Sequence, residues 1–217
     1  MKTIASCVQE IIATSPFLEE GLSRQIINFS ALAKDLNQTI STMLRKPVKE
    51  GAIMMALRRY QQPIHMDSNG LKTVFNNLGD ITVRSNLSDF TFQNSTSLTD
   101  NHSQVLNSIS DNQQIFYAFT RGLFESNIII SSSEKATVLS NFKNETPIGL
   151  QDELSAISLH LPKGNSKIAG LYYQIFKRLA WEKITLYEVV STTNEFTIVV
   201  EDHLVDKAFS VIKRLKR

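Results

Sequence analysis

Between residues 168 and 179 the apolar side chains Ile168, Leu171, Tyr172, Ile175, Phe176 and Leu179 recur every three or four positions, which predicts a helix with one apolar face. Pro162, Lys163, Gly164 and Asn165 break the chain ahead of it, and Ser166 is placed to cap its start. Upstream, residues 154–161 set Ile157, Leu159 and Leu161 on one side and Ser158 and His160 on the other, the period of two of a half-buried strand. Downstream, two runs rich in β-forming residues, 184–191 and 196–200, flank Thr192, Thr193, Asn194 and Glu195, a short polar connection suited to a hairpin. Leu204, Val205, Ala208, Phe209, Val211, Ile212 and Leu215 then return to helical spacing. The last third of the chain therefore reads strand, helix, strand, strand, helix.

The middle of the chain repeats that order at an offset of about seventy residues. Alternating runs at 81–84 and 90–92 predict strands, Val105, Leu106 and Ile109 a helix within 95–112, and 115–119 and 128–130 two more strands around the turn at Arg121 and Gly122. Ile115 falls near Ile184, Ile128 and Ile130 near Ile198 and Val200, and Leu139 and Phe142 near Phe209 and Ile212. No glycine opens the helix of this first copy, and Ser131 to Ser133 replace the apolar end of its strand, so a structural role is expected for it. Residues 1–62 predict helices alone: one around Val8, Ile11 and Ile12, a second after Pro16, a third capped by Ser30 over 31–36, a fourth over 38–44, and a fifth over 48–60 with Pro47 in its first turn. Residues 62–79, holding Pro63, Asp67, Ser68, Asn69 and Gly70, read as a linker with a short helix.

Residues 170–184 (GLYYQIFKRLAWEKI) and 188–201 (EVVSTTNEFTIVVE) carry a resemblance to the ACT domain, the small ligand-sensing module found behind aspartate kinases and other amino-acid enzymes. In that family a glycine opens the first helix and a serine–threonine pair precedes the hairpin turn. Ala169 stands where the family usually has proline, and Thr185 where the kinases usually carry an effector-contacting asparagine. Residues 30–36 and 50–59 are in turn similar to winged helix-turn-helix units fused ahead of such modules. The resemblances imply an α+β protein: a helical, winged-helix-like domain over 1–65, a linker over 66–79, and two ferredoxin-like βαββαβ ACT-type modules over 80–152 and 153–217. The second module ends without its last strand, and an earlier segment such as 80–84 or 146–150 is expected to cover that edge, since an unpaired edge invites aggregation.

Composition and charge narrow the function more than they name it. The 217 residues are 42% hydrophobic and 20% charged with a net charge of +2, too small to identify a partner. Cys7 is the only cysteine and is preceded by six residues, too few for the apolar core of a signal peptide, so a reducing, cytoplasmic setting and no membrane span are expected. Eight glycines include no GxGxxG or GxxxxGK arrangement, so the nucleotide-binding loop of a kinase is missing. His65, His102, His160 and His203 lie far apart with one cysteine among them, which gives no metal-ligand spacing, and no GxSxG motif marks a nucleophile. Glu19–Glu20 and Glu201–Asp202 read as surface charge. No catalytic residue, cofactor or metal is expected, and hence no enzyme.

Two binding roles remain. The turn into the helix at 168–179 presents free backbone N–H groups at a helix N-terminus, which suits an α-carboxylate, and Gly170 permits close approach. Lys167, Ile168, Ala169 and Gly170 form this opening, with Lys167 available to the carboxylate. Glu188 and Glu195 in the neighbouring strands are candidate acceptors for an ammonium, Thr185 occupies the slot of the family's asparagine, and Ser191 stands at the hairpin. The ACT resemblance implies a stand-alone regulatory protein sensing an amino acid or similar small ligand, as a homodimer through its ACT modules; a regulatory partner of an aspartate kinase is an alternative. The other role is DNA binding by a ligand-responsive transcription regulator: residues 1–65 hold eight Lys and Arg against five Asp and Glu, and Lys34, Arg45, Lys46, Lys49, Arg58 and Arg59 are the candidate phosphate contacts.

Overall fold

A computed structural model describes residues 2–60 and 68–216. The chain divides into two compact units, Met1–His65 and Met66–Arg217.

In the first unit, α1 (Ile4–Ala13) opens on a reciprocal capping box between Thr3 and Ser6 and buries Cys7, Val8 and Ile12. Helix α2 (Pro16–Ser23) carries its proline in the first turn, where the missing N–H costs nothing. The two helices expected over 31–36 and 38–44 are one, α3 (Phe29–Leu44). Its cap is Asn28 rather than Ser30: the Asn28 side chain accepts from the Ser30 and Ala31 amides at 2.9 and 3.2 Å. Asn37 does not break the helix, because its amide group bonds outward to the Val48 carbonyl at 2.7 Å. The helix stops at Arg45, which is left-handed at φ +52°. Pro47 lies outside α4 (Glu50–Arg59), which starts after Lys49. Leu32, Leu36, Ile40, Ile53 and Leu57 close over the α1 residues to form the core of this unit. Residues 2–60 contain no strand, in keeping with the helices expected there, and nothing in them confirms the winged-helix likeness.

The second unit is built on two long antiparallel strands, β1 (Ile81–Gln93) and β4 (Pro147–His160), at the centre of a six-stranded sheet. Between them come α6 (Leu98–Ile109), β2 (Tyr117–Arg121), β3 (Glu125–Ser131) and α7 (Lys135–Asn141), and after them α8 (Leu171–Trp181), β5 (Glu188–Ser191), β6 (Glu195–Glu201) and α9 (Val205–Lys213). The strand order is β2-β3-β1-β4-β6-β5, all neighbours antiparallel. The run β-α-β-β-α thus occurs twice, and the registers correspond: Leu87 lies opposite Ser131 and Phe90 opposite Ile128, as Leu154 lies opposite Glu201 and Ile157 opposite Ile198.

Each long strand serves both runs. Residues 87–93 pair with β3 and residues 154–160 with β6, while the two strands also pair with each other from Ile81 opposite Leu159 to Phe92 opposite Pro147. The register shifts midway, where Asn86 (φ +60°) and Glu153 (φ +56°) are left-handed, the mark of bulges that bend a strand. Of the two segments expected to cover the open edge of the second run, 81–84 does so, beside residues 156–159 of β4; 147–151 instead pairs with β1 and completes the first run. β6 has a strand on each side. On one face, Phe90, Phe92, Ile128 and Ile130 pack under α6 and α7, and Ile157, Leu159, Phe196, Ile198 and Val200 under α8 and α9.

The stretch expected as a linker is structural. Helix α5 (Ser68–Asn76) and the turn after it bury Leu71, Val74, Phe75 and Leu78 in the second core, because these four stand at helical spacing and cover apolar surface that α8 and α9 leave open; residues 66 and 67 lie outside the described residues. Gly79 is needed where the chain crosses the end of β4, since a Cβ there meets His160 at 2.8 Å.

Candidate functional site

The loop from β4 to α8 turns twice through left-handed glycines, Gly164 at φ +83° and Gly170 at φ +82°, with a 3-10 turn, Asn165–Lys167, between them. Gly170, not Ser166, is the residue at which α8 starts, and no side chain caps that start. Ile168 accordingly precedes the helix. Lys167 and Ala169 are exposed, and Ile168 and Gly170 half-buried, so the amide-rich opening lies at the surface.

Two asparagines that the sequence reading passed over hold this loop to the β5–β6 hairpin. The Asn165 side chain, 3% exposed, donates to the carbonyls of Pro162 at 3.0 Å and Thr193 at 2.8 Å. Asn194 donates its side-chain amide to the Leu161 carbonyl at 3.1 Å, and its own carbonyl accepts from the Leu161 amide at 2.7 Å. Across the same junction, Tyr172 in the first turn of α8 and Ser191 at the end of β5 join hydroxyls at 2.9 Å, and the Tyr172 ring stacks on Phe196. Loop, helix start and hairpin form one block. The sequence signal was weak: asparagine in a turn reads as a local breaker, and only the fold shows its amide crossing to another segment.

This block gathers Lys167, Ile168, Ala169, Gly170 and Ser191 and leaves out the other candidates. Thr185 is exposed beyond the far end of α8, roughly 16 Å along an eleven-residue helix. Glu188 stands opposite Val199 and Glu195 opposite His160. Phe196, which packs under α8, fixes the helix-covered side, so alternation puts both glutamates on the other face of the sheet. The expected pairing of either carboxylate with an ammonium at the α8 opening is not what the sheet provides.

The first run shows how an equivalent opening is filled. There Asn94 ties the loop after β1 to the β2–β3 turn, donating its side-chain amide to the Gly122 carbonyl at 2.9 Å while its backbone amide meets the Phe124 carbonyl at 2.9 Å. At the start of α6 sits the carboxylate of Glu145, 7% exposed, which accepts from Ser95 at 2.5 Å, Ser97 at 2.7 Å and Asn101 at 2.6 Å. The chain thus supplies its own carboxylate to the α6 opening. No described carboxylate bonds to residues 167–173 at the α8 opening.

The remaining candidates are dispersed. Lys34, Arg45, Lys46, Lys49, Arg58 and Arg59 are all exposed, with Arg45, Lys46 and Lys49 together in the connection between α3 and α4, and none forms an ion pair with a described residue. His102 is half-buried against Phe119 and meets the Tyr117 hydroxyl at 2.6 Å; burial pushes the imidazole down and the phenol up. His203 pairs with Glu201 at 3.2 Å. Among the described residues no group of three or more His, Cys, Asp or Glu is placed to hold a metal ion. No helix among them is long and apolar enough to cross a membrane.

The fold is a mixed α/β one, with helices on a six-stranded antiparallel sheet, of the kind found in aspartate kinase regulatory domains. The regulatory subunit of aspartate kinase from Thermus thermophilus, in its ligand-free form, matches with a TM-score of 0.51 at 6% identity, over 64% of this chain and 99% of that one. The allosteric aspartate kinase of Clostridium acetobutylicum matches with a TM-score of 0.52 at 13% identity, over 74% of this chain and 37% of that enzyme. At these identities the likeness is one of fold. No protein-family model matches the sequence, and no curated protein matches it.

Proposed function

We propose that the chain is a non-catalytic regulatory protein of ACT type that senses an amino acid or a similar small carboxylate at the α8 opening. Each β-α-β-β-α run, completed by the strand segment borrowed from the other, is read as one module, and the pair works as a homodimer. The observation that carries this reading is the contrast between the two openings. At one, Glu145 is held by the side chains of Ser95, Ser97 and Asn101; the other has the same position at a helix start, two left-handed glycines and a loop latched to its hairpin, with no described carboxylate on it, and the amides after Ile168 are read as the site for a carboxylate from solution. With Glu188 and Glu195 on the other face, the acceptors near this opening are the hydroxyls of Ser191 and Tyr172, so recognition rests on the carboxylate.

A panel of L-amino acids and simple carboxylates, screened by thermal shift, tests the proposal. A ligand at a hundredfold excess over its Kd stabilises the folded state by about 2.7 kcal/mol and raises the melting temperature accordingly. At least one member is expected to do so, and its effect to vanish in the Gly170→Val variant. A panel that moves nothing at millimolar concentrations overturns the sensing role.

A further inference from the structure

The face of the sheet opposite the helices is closed by the sheet itself. Leu87, Ile129, Leu154, Ala156 and Val199 lie on it, each at most 1% exposed, and Phe116 and Ala118 from the β2 side and Val190 from β5 pack against the same cluster. β2 and β5 stand at opposite ends of the strand order. No residue of a described helix joins this cluster, so its near-complete burial requires the sheet to bend at the Asn86 and Glu153 bulges and fold its halves toward each other.

The repeat creates two equivalent crossings at this seam, and they differ in chemistry. At one, Ala118 of β2 and Ala156 of β4 join the apolar cluster. At the other, the residues in the matching positions are Glu188, opposite Val199 as Ala118 is opposite Ile129, and Asp89, two residues after Leu87 as Ala156 is two after Leu154. Two methyl groups on one side are answered by two carboxyl groups on the other. Asp89 is 3% exposed. From β3 it faces Asn127, whose side-chain amide donates to it, and Ile129; from β4, Gln151 and Leu154; from the β5 side, the Glu188 carboxylate and the Tyr187 hydroxyl. No lysine, arginine or histidine acts on it.

We infer that Asp89 and Glu188 make the seam between the two halves proton-sensitive: with Asp89 protonated the halves close, and with Asp89 ionised its repulsion by Glu188 across the seam loosens them. Burial pushes Asp89 up to about 6, Asn127 draws it down and the Glu188 charge raises it again. The direction of the linkage follows. Asp89 titrates higher in the folded chain than unfolded, so its stabilisation is complete below about pH 4 and is lost as pH rises through about 6. Other groups act in their own windows. His102, lowered by burial, loses stability as pH falls below its ordinary value, and Asp152, lowered by Lys135 and Ser88, does so in stronger acid. The difference between wild type and Asp89→Asn isolates the seam. β5 carries Glu188 into it and Ser191 to the α8 opening, so one strand serves both places.

Two measurements test the inference on the full chain. In a carboxyl-carbon NMR titration, Asp89 is expected to titrate near 6 and to move down in Glu188→Gln. In hydrogen exchange, the protection factors of the Ile129 and Val199 amides are expected to rise about fourfold between pH 7.5 and 5.5 in wild type relative to Asp89→Asn. A midpoint near 4, a midpoint unmoved in Glu188→Gln, or an equal change of protection in Asp89→Asn overturns it. Should Asp89→Asn not fold, Glu188→Gln carries the exchange comparison, with a smaller rise expected and an unchanged one refuting.

Discussion

Glu145 gives the sharpest test of how the first module is held together. Its carboxylate joins the connection between α7 and β4 to the opening of α6, three donors from residues 95–101 meeting on two oxygens. Hydrogen bonds to a charged acceptor contribute about 1.5–3 kcal/mol each when the acceptor is removed from a buried site. Three of them set an upper bound that is not reached, since Ser97 is exposed and Ser95 half-buried, so their hydroxyls regain water. Glu145→Ala is expected to cost about 3 kcal/mol. In a unit of this size that lowers the melting temperature by roughly 6–12 °C. Glu145→Gln keeps the shape and one strong acceptor and is expected to cost about 1 kcal/mol. Urea unfolding followed by the fluorescence of Trp181, the only tryptophan and a residue of α8, reports the second unit without interference from the first. Acetate is expected to restore part of the loss in Glu145→Ala, and not in Glu145→Gln, because only the smaller side chain leaves room for it. A cost under about 0.5 kcal/mol for Glu145→Ala, within the range of ordinary surface substitutions, refutes the clamp. Equal costs for the two variants refute the role of charge.

Two substitutions probe the other opening. Gly170→Ala places a Cβ in a left-handed conformation and is expected to cost about 1–2 kcal/mol by the same unfolding assay, with weaker binding of whichever ligand raises the melting temperature. Asn165→Ala leaves the Pro162 and Thr193 carbonyls without their donor; faster hydrogen exchange at the Lys167 and Ile168 amides, with the amides of β6 unaffected, is the expected signature of a released loop.

The sequence displayed the repeat because Ile128 and Ile130 sit in the same register against β1 as Ile198 and Val200 do against β4, and burial on the helix side forces the same residue type at both. It offered the first half of β4 only as a segment to cover an open edge, not by any pattern of its own. Ile148 and Leu150 are about half exposed there, Pro147 and Gly149 are poor strand formers, and the segment is a strand because β1 lies beside it. The short helix expected within 62–79 is α5, but its place in the core was hidden: Asn69 and Gly70 signal a turn, and only the apolar surface beside α8 and α9 shows where Leu71, Val74, Phe75 and Leu78 are buried. The α8 start was misplaced by four residues because Ser166 has the chemistry of a cap, whereas the loop reaches its helix through Gly170. For the site, the opening itself was legible from glycine and helix periodicity. The faces of Glu188 and Glu195 depend on the pairing of β5 and β6, and an offset of one residue inverts them.

The burial of Asp89 and Glu145 could not be read at all, and these two acids show what separates the modules. Each run has a helix opening and a crossing at the seam, built on corresponding registers, so each run is a control for the other. At the openings the first run uses a carboxylate of its own and the second does not; at the seam the second contributes Glu188 where the first has Ala118. A carboxylate locked under three donors holds the α6 end of the first module in one state. The second run has no side-chain cap at its α8 start and places an acid on β5, the strand that also bonds α8 through Ser191. If the α8 opening binds a ligand as proposed and Ser191 shifts, Glu188, three residues back on the same short strand, is expected to shift against Asp89, so ligand is expected to move the Asp89 midpoint; a carboxyl-carbon NMR midpoint that ligand leaves unchanged refutes the coupling.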